Sequence, residues 1–216
     1  MSNDNNTKDI DNLIGDLTEE LSPIKKLWCP YRHFALWAVL SAVYFVSILF
    51  VIGFRYDLAD KLQTANFLYE GTLGVLFSLT AALCASFLNI PDMRGKEWFK
   101  AVPITLFGAF MLWTVIKAIA HGLDMPNLYW AQCISNALFI GGFPLFFIII
   151  LSLRGKTTQP VWMATMNVLA VAGITWIGLR VTCSIDDMGY AFLYHFLPVS
   201  IVGALTILMG RKLFKW

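Results

Sequence analysis

Six mostly apolar stretches, at 34–54, 67–90, 101–120, 131–153, 161–179 and 190–210, are separated by short polar links along the chain. A hydrocarbon core about 30 Å thick is crossed by roughly 20 helical residues, and a helix satisfies its own backbone hydrogen bonds where no water is present. The pattern predicts an all-α polytopic membrane protein, a six-transmembrane-helix bundle. The links carry turn chemistry, as in Pro91-Asp92, Asp124-Met125-Pro126-Asn127 and Arg154-Gly155-Lys156. They leave no room for a second folded unit, so the expected division is a segment 1–33 followed by a transmembrane domain 34–216.

The segment ahead of the first apolar run has its own periodicity. Ile10, Leu13, Ile14, Leu17 and Leu21 recur at helical spacing, which gathers them on one face of a short amphipathic helix. Asp9, Asp11, Asp16, Glu19 and Glu20 make the rest of it acidic. That sign of charge is wrong for lying on an anionic inner leaflet and suits a basic protein partner. The plainer alternative is a helix folded back on the chain's own basic loops. Ser22-Pro23 then reads as a stop and a new start, with Lys25 and Lys26 next to the membrane surface.

Composition agrees with the membrane reading: of 216 residues, 58% are hydrophobic and 14% charged, with a mean hydropathy of +0.66. The net charge of +2 is too balanced for direct nucleic-acid binding, which needs a basic face. Its distribution carries more information. With the N-terminus inside, twelve basic residues fall on inner segments (Lys8, Lys25, Lys26, Arg32, Arg94, Lys96, Lys100, Arg154, Lys156, Arg211, Lys212, Lys215) and three outside (Arg55, Lys61, Arg180), with Lys117 left within a span. The opposite orientation inverts that asymmetry, so both termini are expected in the cytoplasm. Trp28, Trp98, Trp130, Trp162 and Trp216 fall near the ends of spans, as interfacial indoles do. The first apolar run, lying behind some thirty polar residues, reads as a retained span and not a signal peptide.

Candidate chemistry gathers on the outer side. Cys29 and Cys84 lie toward the inner face, whereas Cys133 opens the fourth span and Cys183 follows the fifth. Two thiols in an oxidising compartment read as a disulfide or as a thiol sensor. His121, Asp124, Asp186, Asp187 and His195 lie near the same face, and thiolate with imidazole suits a thiophilic metal ion as signal. The spacing matches no recognised metal motif, and a histidine hydrogen-bonded within the bundle is the plainer reading of His195. Glu70 and Lys117 are positioned to pair or to reach water. No HExxH, nucleophile elbow, intramembrane carboxylate pair or glycine-rich phosphate loop occurs, so neither an enzyme nor a resident cofactor is expected.

Several elements together resemble the NrsF-type anti-sigma factor family of six-span bacterial inner-membrane proteins. They are Leu17, Leu21, Pro23 and Ile24 followed by Pro30 and Arg32, then Arg55-Tyr56-Asp57-Leu58, Cys133, and the late run Cys183, Asp186, His195, Pro198. Ser184 and Tyr56 stand where that family commonly has proline. The resemblance implies a cytoplasmic N-terminus that sequesters an extracytoplasmic-function sigma factor. Its anchors would be Ile10, Leu13, Ile14, Leu17 and Leu21, with Asp9, Asp16, Glu19 and Glu20 among the carboxylates around them. It further implies that Cys133 and Cys183, with His195 and Asp186 nearby, sense heavy metal or oxidation. Two other readings stay open: a small permease or metal exporter with Glu70, Lys117 and His195 along its path, and a membrane thiol-disulfide enzyme.

Overall fold

The computed structural model describes residues 29–90, 98–121, 130–155, 157–186 and 190–214. Within them the chain is a bundle of six membrane-length helices, and no strand occurs among the described residues. Helix α1 spans Pro30–Ile52 and a single turn, α2, spans Leu58–Lys61. The other spans are α3 (Ala65–Leu88), α4 (Trp98–His121), α5 (Trp130–Leu153) and α6 (Pro160–Thr182). The last is α7 (Leu197–Leu213), entered through a π-helical turn at Ala191–Phe196. The acidic segment 9–21 lies outside the described residues.

Local sequence sets several of these boundaries. Pro30 and Pro160 occupy the first turns of α1 and α6, where a missing N–H costs nothing. The first span therefore begins a turn earlier than its apolar run, because Tyr31, Arg32 and His33 continue the helix polar-first. Gly53 ends α1 at φ 91°, a left-handed conformation that favours glycine. Pro103 and Pro144 sit inside α4 and α5, as membrane helices tolerate.

Helices α3 and α6 form the central pair. Their spans are 56% and 61% buried, against 17–33% for the other four. Small residues let them approach closely: a Cβ on Gly173 would run into the Gly74 carbonyl and lie 2.7 Å from the Ser78 Cβ. At the same crossing the Ser78 hydroxyl donates to the Ala170 carbonyl. Lipid offers no hydrophobic gain for helix association, so close packing and interhelical hydrogen bonds must hold such a pair. Around it, α4 packs mainly on α3, α5 and α7 on α6, and α1 on α5 and α3. The Trp37 indole N–H fixes α1 to α5 by donating to the Pro144 carbonyl at 3.2 Å. The perimeter is apolar, with Phe50, Val51, Ile119 and Leu208 at least three-quarters exposed, as lipid-facing side chains should be.

Gly173→Leu is expected to cost about 1–3 kcal/mol by overpacking this crossing, read as a lower Tm in detergent micelles. Gly142→Leu, at a position where an added Cβ meets nothing within 4 Å, serves as the control and should leave Tm within a degree or two.

Candidate functional site

The first turn of α5, the end of α6 and the π-helical turn converge at one end of the bundle. Helix α6 stops at Cys183, which turns extended while its N–H still donates to the Leu179 carbonyl at 2.8 Å. Its sulfur therefore points back over the helix end, and it meets Cys133 of α5 at 3.6 Å, both as free thiols. The Tyr190 hydroxyl donates to the Cys133 sulfur at 2.8 Å, and its ring lies 4.6 Å from that of Tyr194. Cys183, Tyr190 and Tyr194 form a small buried cluster with Cys133 and Ile134 packed against it.

His195 completes the arrangement. It is 1% exposed, and its donor nitrogen and the two sulfurs all lie within 4.8 Å of one another. Neither ring nitrogen makes a well-formed hydrogen bond among the described residues; its polar neighbours there include the two sulfurs. The indole of Trp176 and the ring of Tyr190 meet it edge-on, at 6.1 and 5.7 Å.

Two chemistries are open to this set. A disulfide needs sulfurs about 2.05 Å apart, so the pair must close by roughly 1.5 Å. A tetrahedral ion with metal–sulfur bonds of about 2.3 Å spaces its sulfurs by about 3.8 Å, which the present separation already approaches, and one imidazole stands ready as a third donor. The Cys183 thiol is held well above its ordinary range, first by its hydrogen bond with Cys133 and then by burial.

Beside the thiols runs a chain of ion pairs. Lys117 of α4 pairs with Glu70 of α3, and Glu70 reaches Arg180 at the end of α6, at 3.3 Å. Arg180 bonds Asp186 at 2.9 Å, three residues after Cys183. Asp186 takes both terminal nitrogens of Arg55 at 3.1 and 3.0 Å and Lys61 at 2.6 Å. Arg55, its side chain fully buried, also grips Asp57 at 2.6 and 2.8 Å. Four cations (Arg55, Lys61, Lys117, Arg180) thus meet three carboxylates (Asp57, Glu70, Asp186), a balance of +1. Burial pushes Asp186 upward, but hydrogen bonds from Arg55 and Lys61 and the charge of Arg180 outweigh it and hold the carboxyl well below the usual range.

Of the sensing residues expected from sequence, Cys133, Cys183 and His195 come together, while Asp186 belongs to the ion-pair chain and not to the thiol set. Asp124 and Asp187, together with Asp9, Asp16, Glu19, Glu20 and the apolar anchors of the first segment, lie outside the described residues, as does the side chain of His121. Sequence reasoning missed Tyr190, and it placed Arg180 in an outer loop, where the structure continues α6 to Thr182. Two arginines bordering apolar runs were the signal that an ionic partner was needed.

Asp186→Asn leaves Arg55 and Arg180 short of a carboxylate. With the Asp186 side chain 33% exposed, the cost is about 1–3 kcal/mol, below that of a fully buried pair. The expected outcome is a lower Tm together with faster maleimide labelling of Cys133 and Cys183; unchanged labelling would show that the chain does not hold the thiol loop.

A family profile described as NrsF, negative regulator of sigma F, matches residues 17–216. No curated protein and no solved structure matches the chain. The profile covers the six-span bundle, the thiol pair and the ion-pair chain, and reaches back into the acidic segment, so this chain belongs to the NrsF family of negative regulators of a sigma factor.

Proposed function

We propose that the chain is a membrane-bound anti-sigma factor that holds an extracytoplasmic-function sigma factor at the cytoplasmic face of the bacterial inner membrane and releases it on an envelope signal. The observation that carries the reading is the thiol pair, with sulfurs 3.6 Å apart and His195 beside them. In this reading residues 1–33 are the binding segment and 34–216 the sensor and anchor. Both termini are cytoplasmic, in keeping with the basic residues of the inner links. The protein acts by binding, and no catalysis is required of it.

Ile10, Leu13, Ile14, Leu17 and Leu21 insert into the sigma factor, while Asp9, Asp16, Glu19 and Glu20 steer its basic surface. The signal is oxidation of Cys133 and Cys183 or capture of a thiophilic heavy-metal ion between them and His195. Either draws the outer ends of α5 and α6 into a new spacing. Because α5 and α6 pack against α1 and each other, the change reaches the base of the binding segment as a difference in affinity between two states of the bundle. Release then permits transcription.

A permease reading needs Glu70, Lys117 and His195 along one path. Glu70 and Lys117 are joined to each other and His195 sits by the thiols, so the anti-sigma reading fits these residues better.

Replacing both Leu13 and Leu17 with Ala is expected to weaken sigma-factor binding by roughly 3 kcal/mol, about a hundredfold in Kd. Removing residues 1–27 should abolish co-purification altogether. Undiminished capture of the sigma factor by the deletion variant would move the interface to the inner links. Cys133→Ser with Cys183→Ser should bind normally yet fail to release on oxidant or cadmium.

A further inference from the structure

Cys133 and Cys183 stand at opposite poles of their helices. Cys133 lies in the first turn of α5, which begins at Trp130, and Cys183 is the C-cap of α6. A helix gathers partial positive charge at its N-terminus and partial negative charge at its C-terminus, so an anionic sulfur is favoured at Cys133 and disfavoured at Cys183. The donors are divided the same way. The Cys133 sulfur receives the Tyr190 hydroxyl at 2.8 Å and interacts with His195. Cys183 has, besides Cys133, the backbone N–H of Ile185. Arg55 lends it some positive charge, but that guanidinium is already bonded to Asp57 and Asp186. Exposure follows the same division: Cys133 is partly exposed, whereas Cys183 is buried in a cluster with Tyr190 and Tyr194.

We infer that the two sulfurs have different tasks: Cys133 attacks a small hydroperoxide, and Cys183 resolves the product into a disulfide. The inference rests on the thiol-sensing reading proposed above and assigns the order of events within it. A hydroperoxide is the oxidant class these surroundings fit. Its reacting end is two oxygen atoms, small enough to reach a partly covered sulfur. The oxygen that departs carries negative charge as its bond breaks, which the Tyr190 hydroxyl is placed to stabilise. Cys183, with its sulfur 3.6 Å from that of Cys133, is close to the separation from which a second attack starts.

Both steps balance with the hydroperoxide as sole oxidant. In the first, the Cys133 sulfur takes one peroxide oxygen, the oxygen–oxygen bond breaks, and the other oxygen leaves with the thiol's proton as water, or as an alcohol from an organic hydroperoxide. Cys133 is then a sulfenic acid, oxidised by two electrons. In the second, the Cys183 sulfur attacks the Cys133 sulfur, the sulfur–oxygen bond breaks, and the oxygen leaves with the Cys183 proton as water. The sum is two thiols and one hydroperoxide in, one disulfide and two small hydroxylic products out.

The test uses the full-length reduced chain in lipid nanodiscs with hydrogen peroxide, trapping sulfenic acid with dimedone and locating the adduct by peptide mass. In Cys183→Ser one adduct should build up on Cys133. In Cys133→Ser the adduct on Cys183 should form about tenfold more slowly, the combined effect of one hydrogen bond and one helix end. In the unaltered chain, where no variant has to fold, a sub-stoichiometric pulse of iodoacetamide should alkylate Cys133 ahead of Cys183 by a similar factor. Tyr190→Phe keeps the ring and loses the hydroxyl. It should slow the peroxide reaction at Cys133 about fivefold and leave the exposed Cys29, an internal reference, unchanged. Equal rates at the two sulfurs, or a faster Cys183, overturn the proposal, as does a wild type in which peroxide forms no bridge. An unchanged Cys133 rate in Tyr190→Phe overturns the part given to that hydroxyl. If the bridge forms in this order while the sigma factor stays bound, the sensing reading fails and the assignment of the two sulfurs stands.

Discussion

Asp186 receives charge from three cations that belong to two distant parts of the chain. Arg55 and Lys61 come from the link between the first two spans, and Arg180 comes from the last turn of α6. Through Arg180 the same carboxylate is connected to Glu70 and Lys117, hence to α3 and α4. Arg55 cannot leave: its side chain is fully buried, its backbone N–H is bonded to the Val181 carbonyl at 3.0 Å, and Gly53 turns the chain so that it arrives there. Buried charges are tolerated only when each has its counterion and its hydrogen bonds, so the positions of four helix ends are fixed relative to one another. The loop bearing Cys183 is fixed along with them.

That constraint explains why two thiols so far apart in sequence stand face to face without being bonded. Cys183 is held by α6 on one side and by Asp186 on the other, and Cys133 is held by the hydroxyl of Tyr190. Each sulfur rests in a place determined by neighbours that are not sulfur. A change in the separation of the sulfurs would therefore have to move these neighbours as well.

Much of this was legible in the residues. Six apolar runs gave six spans to within a turn at most ends, because the length needed to cross lipid and the need to satisfy the backbone internally leave few alternatives. Cys133 and Cys183 were assigned to one face by counting crossings, and the face followed from the span count alone. Of the two alternatives the sequence left for Glu70 and Lys117, pairing or reaching water, the fold takes the first. What could not be read was three-dimensional order within a layer. Nothing in the spacing of Arg55, Arg180 and Asp186 says that they share a bond network, since their separations reflect loop lengths. Tyr190, the first residue of the sixth apolar run, carries no mark in the sequence of the sulfur it holds. The central position of α3 and α6 was hinted at by Gly74, Ser78, Gly173 and Gly178, small residues in runs otherwise as apolar as the rest, but small residues also occur where helices face lipid.

The π-helical turn at Ala191–Phe196 has a mechanical implication for everything beyond it. A wide turn holds one residue more than an α-turn, and tightening it would swing the following helix by about 100° and advance it by about 1.5 Å. On α7 that swing would be felt along its full length. Gly203 lies against Val168 and Gly210 against Ala164, so both notches would lose their register on α6 together, as teeth of one gear leaving another. Arg211 and Lys212, a membrane's width from the thiols, would be carried around the axis with them. A histidine set inside the wide turn is in the one place where a local change of bonding can be read out as the angular position of a whole helix.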